Sequence, residues 1–202
     1  MVAWAKAYEV GVVSDLAYGA LGYQGYENPS FLSVPGAKDV GIEFYTFSKT
    51  FNMAGWRLAF ATGNDQMIEA LNLIQDHLFV GIFPALQDAG IAALLDSKSE
   101  EAVAKLNAVY DSRRDAFTQA AAKIGWQAFP SKGSFYAWMP VPEGYTSESF
   151  ADLLLEKAHV AVAPGKGFGP AGDAYVRIGL LVEPERLVEA VNRIADLHLF
   201  DH

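Results

Sequence analysis

Cysteine is missing from all 202 residues, which excludes a disulfide framework and a thiolate metal site and fits a reducing compartment. Long apolar runs are missing as well. The longest, such as Leu78-Phe-Val-Gly-Ile-Phe83, fall far short of a bilayer's thickness. No basic stretch leading into an apolar one opens the chain, so no secretory signal is expected and the cytoplasm is the default location. Positive charge is scarce. The 15 Lys and Arg against 24 Asp and Glu leave a formal net charge of −9, and the basic residues form no block, which argues against nucleic acid or anionic membranes as partners. His77, His159, His198 and His202 are scattered without metal-ligand spacing, and no metal site is expected. Repeats and low-complexity segments are absent too. With 51% hydrophobic and 19% charged residues, the composition is that of a folded chain, long enough for one large domain or two small ones.

Hydrophobic periodicity sketches the elements. Residues 1–9 read as the tail of a helix with Val2, Ala5, Trp4 and Tyr8 inward, running into Val10-Gly-Val-Val-Ser14, a short strand of the fully buried type. Residues 19–39 are rich in Gly, Pro, Ser and Asn and read as an irregular loop. Strands follow over 42–47 and 57–62, with a lysine-bearing loop between them. Asn64 caps a helix with Met67, Ile68, Leu71, Ile74 and Leu78 on one face, and 84–95 form a further helix. Ser97-x-x-Glu100 is a capping box for a long helix whose stripe is Val103, Leu106, Tyr110, Phe117, Ala120 and Ile124, ended by Gly125. Strands at 126–129 and 134–139, a helix at 147–158, strands at 160–163 and 175–181, and a helix from Pro184 complete the pattern. The last helix turns Leu187, Val188, Val191 and Ile194 inward. Strand and helix alternate in the first half; the second is a compact α+β unit.

Chemistry concentrates in Phe44-Tyr-Thr-Phe-Ser-Lys-Thr-Phe-Asn-Met-Ala-Gly-Trp-Arg-Leu-Ala-Phe60. Lys49 stands there among apolar and aromatic residues, with hydroxyls on both sides and Arg57 beyond. Burial and neighbouring cations favour a neutral amine, which is nucleophilic toward carbonyls. Thr46, Ser48 and Arg57 are donors suited to a phosphate, the arginine as a bidentate fork. A lysine that bonds a carbonyl beside a phosphate clamp is the chemistry of pyridoxal 5′-phosphate, PLP.

Ser48-Lys-Thr-Phe-Asn-Met-Ala-Gly-Trp-Arg57 resembles the lysine signature of the class I/II aminotransferases, the PLP enzymes of fold type I. Val12-Val-Ser-Asp15-Leu-Ala-Tyr18 resembles the family's Asp-x-x-Tyr at a strand end. Tyr175-Val-Arg177-Ile-Gly-Leu resembles its late arginine strand. The three occur in the family's order, and the resemblance runs from about Ala3 to the C-terminus. It implies an α/β fold: residues 1–96 as the latter part of a PLP-binding large domain with a parallel-rich sheet, and 97–202 as a long connecting helix and a small α+β domain. Family members are much longer, and the segment expected before Asp15 would carry the helix that cradles the phosphate, a ring stacked on the pyridine and an asparagine. The expectation is therefore a fragment, completed across a homodimer and weakly active by itself.

The resemblance assigns roles residue by residue. Lys49 bonds the cofactor and then acts as base; Asp15 pairs with the pyridine nitrogen, keeping the ring an electron sink; Tyr18 donates to the ring oxygen. Arg57 with Ser48 or Thr46 holds the phosphate, Thr46 standing where the family has serine, and Arg177 grips the substrate α-carboxylate. Against these stand ordinary readings: a surface lysine, a turn-capping aspartate, a packed tyrosine, a surface ion pair at Arg57 and an internal salt bridge at Arg177. The activity implied is amino-group transfer from an amino acid to a 2-oxo acid. A β-lyase or decarboxylase on the same scaffold, or the sensor domain of a transcriptional regulator, are the alternatives. Gly165-Lys-Gly-Phe-Gly169 imitates a dinucleotide loop, but Pro170 interrupts it, leaving a turn-rich loop between strands. Tyr23, Tyr26 and Phe168 are candidate pocket aromatics, although rings in such loops more often pack.

Overall fold

The computed structural model describes residues 1–200, which form two compact units divided between Leu106 and Asn107. In the first unit, helix α1 (Val2–Ala7) buries Ala5, while Trp4 and Tyr8, expected inward, stand in solvent with their rings against each other. Strand β1 (Val12–Asp15) runs parallel to β2 (Gly41–Thr46), and β3 (Ala59–Gly63) pairs antiparallel with the other side of β2. Contrary to the buried strand expected, β1 is an edge whose exposure alternates, Val13 being 62% exposed.

Residues 19–39 contain three single 3₁₀ turns, Tyr23–Gly25, Phe31–Ser33 and Ala37–Asp39. A buried carboxylate ties this irregular stretch to the sheet. Glu43 of β2 accepts from Ser14 Oγ (2.9 Å), Ser30 Oγ (2.6 Å) and Phe31 N (2.7 Å), so its desolvation is offset by three donors.

Helix α2 (Phe47–Thr50) follows β2 directly, where a loop was expected. Helix α3 (Asp65–Leu78) begins at Asn64, whose Oδ1 accepts from Met67 N (3.1 Å), the N-cap read from sequence. Its Met67, Ile68 and Leu71 are half-buried, but Ile74 and Leu78 are exposed. Helix α4 (Pro84–Leu95) starts with proline at its first position. No described helix is long and apolar enough to cross a membrane.

Helix α5 (Ser99–Lys123) crosses the division between the units. It opens two residues after Ser97, and the carboxylate at the turn is Asp96, whose Oδ1 accepts from Lys98 N (2.7 Å). Gly125, at φ +83°, ends it in the left-handed conformation that glycine adopts without a Cβ clash.

The second unit is built on the antiparallel sheet β4 (Tyr136–Pro140), β6 (Tyr175–Gly179) and β5 (Ala163–Pro164), in that order. Residues 126–129 form no strand; Phe129 N donates to Trp138 O (2.8 Å). Helix α6 (Ser147–Leu153) continues as a π turn over Leu154–Ala158, and α7 (Pro184–Ala195) closes the unit. Phe117, Trp126, Met139, Phe150, Leu154, Val176, Leu187, Val191 and Ile194 make one continuous core, with Trp126 Nε1 donating to Pro140 O (2.7 Å).

Candidate active site

Lys49 lies one residue before the end of α2, on a helix too short to hold by propensity. Local bonds fix it instead. Thr46 is the N-cap: its Oγ1 accepts from Ser48 N (3.2 Å) and is also within bonding distance of Ser48 Oγ (3.0 Å) and Leu58 O (3.3 Å). Buried Thr50 shares a 2.7 Å hydrogen bond with Tyr45 Oη, and Phe47 is buried against Phe51 and Phe60. The lysine is half-buried, with Nζ 6.0 Å from the centroid of the Tyr18 ring.

A cavity of 420 Å³ opens beside it, lined by Asp15, Thr46, Ser48, Lys49 and Arg57 together with Tyr45. Thus one amine, two aliphatic hydroxyls, one phenol, one guanidinium and one carboxylate, drawn from two sequence regions, line a common space. The parallel pairing does the gathering, because Asp15 stands opposite Phe44 on β2, two residues before Thr46.

Three details differ from the reading of the sequence. Asp15 is exposed rather than buried, and its Oδ1 accepts from Ala17 N (3.2 Å), the turn-capping bond weighed as the ordinary alternative. Arg57 precedes β3 instead of starting it. It occupies the left-handed region (φ 53°, ψ 44°), with Nη1 donating to Ala54 O (2.9 Å). That conformation is strained for a residue with a Cβ. The lysine sits on a helical turn rather than in a loop.

Arg177 belongs to the second unit. It is half-buried, because Val176 and Ile178 take the core side of β6 and Arg177 points to the other face. The internal salt bridge weighed for it is not formed: none of the ion pairs among the described residues involves Arg177. Its Cζ lies 4.1 Å from the centroid of Tyr136 and 4.2 Å from that of Phe168.

Several contributors escaped the sequence reading. Asn28 Nδ2 reaches the carbonyl oxygens of Tyr18 (3.0 Å), Leu21 (3.2 Å) and Gly19 (3.4 Å), fixing the backbone that carries Tyr18. Glu43 and Tyr45 brace the strand that ends at Thr46. A lone acid in the apolar run of β2 was the available signal for Glu43; an asparagine in a turn-rich loop gave none.

The family model for aminotransferase class I and II matches residues 1–194. The chain is 57% identical over 199 residues to L-glutamine--4-(methylsulfanyl)-2-oxobutanoate aminotransferase of Bacillus subtilis, covering 98% of this chain and 50% of that protein. It is 46% identical over 194 residues to LL-diaminopimelate aminotransferase of Moorella thermoacetica, covering 96% and 49%. The apo structure of BacF from Bacillus subtilis superposes with a TM-score of 0.93 at 46% identity, covering 98% of this chain and 50% of that one. The chain therefore spans about half the length of the relatives it matches, and over that half the mixed α/β fold is theirs. This chain belongs to the class I and II aminotransferase family.

Proposed function

We propose that this chain carries the cofactor-bonding lysine and the substrate-carboxylate arginine of an enzyme that transfers an α-amino group from an amino acid to a 2-oxo acid. The family is PLP-dependent, and the donor set around the cavity fits that cofactor: an amine for its carbonyl, hydroxyls and a guanidinium for its phosphate, and a carboxylate for its ring nitrogen. When bound, PLP supplies the electron sink that lets a proton leave the α-carbon of an amino acid.

The remaining chemistry falls to the protein. Lys49 Nζ anchors the cofactor and, once free, carries the proton to and from the substrate α-carbon. Asp15 keeps the pyridine nitrogen protonated; its Oδ2 has the freedom to do so, since the turn bond from Ala17 N uses Oδ1. Tyr18 is the donor to the ring oxygen. Ser48 is the better placed phosphate hydroxyl, because Thr46 Oγ1 is occupied in capping α2 and in bonds to Ser48 and Leu58. Arg57 adds the charged fork, and Arg177 receives the substrate carboxylate. The first unit is the cofactor-binding part of the large domain, the second the small domain.

Assembly as a homodimer in the cytoplasm is part of the same reading, supported by the missing cysteines and by the apolar surface of α3 and α4. Because the chain has half the length of its relatives, turnover by these 202 residues alone should be slow. The gathering of Lys49, Asp15, Ser48 and Arg57 around one cavity carries the proposal.

Amino-group transfer is tested by incubating the chain with PLP, α-¹⁵N-labelled L-methionine and a second 2-oxo acid, and following the label by mass spectrometry. Label should appear in the new amino acid with wild type and not with Lys49→Ala. Release of carbon dioxide, or of pyruvate, ammonia and methanethiol when S-methyl-L-cysteine replaces methionine, without label transfer, would overturn the reading in favour of a decarboxylase or a β-lyase.

A further inference from the structure

The outer face of the small sheet carries an arrangement that the assigned roles leave unused. Arg177 stands opposite Trp138 across β4 and β6, and Tyr136 stands opposite Gly179. Gly179 has no side chain, so the Tyr136 ring can lean diagonally over the guanidinium, 4.1 Å from Cζ. A second ring, Phe168, comes 4.2 Å from the same Cζ and meets Trp138 edge-on at 5.8 Å. Two aromatic rings at cation–π distance restrict how the guanidinium plane can turn while leaving its N–H edges directed elsewhere.

The loop that presents Phe168 is itself pinned. Ser147, fully buried at the start of α6, donates through both N (3.2 Å) and Oγ (2.8 Å) to Asp173 Oδ1, and its Oγ accepts from Lys166 N (3.2 Å). Gly165 and Gly172 lie backbone to backbone. A Cβ on Gly165 would collide with the carbonyl oxygens of Gly172 and Tyr175, and one on Gly172 with that of Gly165. An exposed aromatic held by this much buried structure is not a floppy surface ring.

The geometry points to Phe168 and Tyr136 as positioning residues that clamp the Arg177 guanidinium and aim its fork at the substrate carboxylate. They act through Arg177 and make no claim on the reacting atoms. The inference rests on the proposed carboxylate role of Arg177, and its failure is separable from failure of that role.

The test is NMR of the arginine side chains in the ¹⁵N-arginine-labelled chain, with Arg177 Nε–Hε assigned by its loss in Arg177→Lys, and titration with 4-methyl-2-oxopentanoate. In wild type the Arg177 signal should be shifted by ring currents away from the other arginines, and should move on titration. Phe168→Leu should return it toward them and weaken binding about tenfold, the scale of one cation–π contact; Phe168→Tyr should restore both. Phe168 is half exposed, so the backbone spectrum of β4 and β6 should be unchanged, and Tyr136→Leu gives the same readout from the other ring. If Phe168→Leu alters neither signal nor affinity while Arg177→Lys abolishes binding, the clamp is wrong and the carboxylate role stands. If Arg177→Lys leaves binding intact, or wild type shows none, the carboxylate role falls and the inference with it.

Discussion

Arg57 shows a conflict between stability and function confined to one residue. Its φ of 53° costs roughly 1 kcal/mol for a side chain with a Cβ, and glycine would remove that cost. Arg57→Gly should therefore leave the urea midpoint unchanged or raise it, while PLP affinity falls tenfold or more through loss of a charge-assisted fork. Parallel denaturation and fluorescence titration check this; a variant that keeps its affinity would remove Arg57 from the phosphate site. Thr46 and Ser48 divide in the same way. Thr46→Val deletes a cap and should cost about 1 kcal/mol of stability, whereas Ser48→Ala should weaken cofactor binding with little change in the midpoint. Equal effects of the two on binding would contradict the assignment of Ser48.

Among the elements, β2 depends on Glu43 and the turn before β6 on Asp173. Replacing Glu43 by Leu takes the shared acceptor from Ser14, Ser30 and the Phe31 amide, all of them half-buried. At about 1–3 kcal/mol for a fully buried polar group left unpaired, and less for half-buried ones, the first unit should lose about 2 kcal/mol in urea denaturation. A loss below 1 kcal/mol would show that the loop is held by something else. Asp173 is held below the usual carboxylate range, first by the Ser147 hydroxyl and then by the Ser147 amide. A depressed folded pKa means stability that is present above the unfolded value and lost as pH falls through the folded one. The Phe168 loop should thus stay pinned at neutral pH and loosen only below about pH 4, seen as shifts of the Ser147 and Lys166 amides on acid titration. Loosening near pH 6 would point to another group.

The same scale shows what the sequence could and could not say. Asn64 and Pro84 carry their structural meaning in the residue itself, and helices begin beside them as read. The cluster of Thr46, Ser48, Lys49 and Arg57 was legible because it is contiguous; only Asp15 had to be brought in by strand pairing. Ser97 misled, since an aspartate one residue earlier takes the turn amide of Lys98. The strand expected at 126–129 is absent because an apolar run forms a strand only where a partner offers a repeated ladder. Exposure of β1 and of Arg177 depended on which face each strand turns inward, and the two rings on Arg177 come from a neighbouring strand and a loop. Local pattern encodes none of these.

At the level of the whole molecule, the two units are unequal. The second has a continuous core in which Phe117, Met139, Phe150, Leu154, Val176 and Leu180 are almost wholly buried. The first has fewer large buried side chains, and Leu78, Phe79, Phe83 and Leu95 are each at least 70% exposed. Hydrogen exchange should therefore be slowest in β4, β6 and α7 and fastest in α3 and α4. A chain with that much apolar surface should also self-associate or bind a hydrophobic dye. A monodisperse monomer at high concentration by sedimentation, with no dye binding, would contradict this.

The most direct test of the central claim, that Lys49 is the lysine of a PLP site built by this chain, is intact mass and peptide mapping after incubation with PLP and borohydride. The account predicts a single reduced adduct, mapped to Lys49 and absent from Lys49→Ala. Adducts spread over surface lysines such as Lys38 and Lys105, with Lys49 labelled no more than they are, would contradict it.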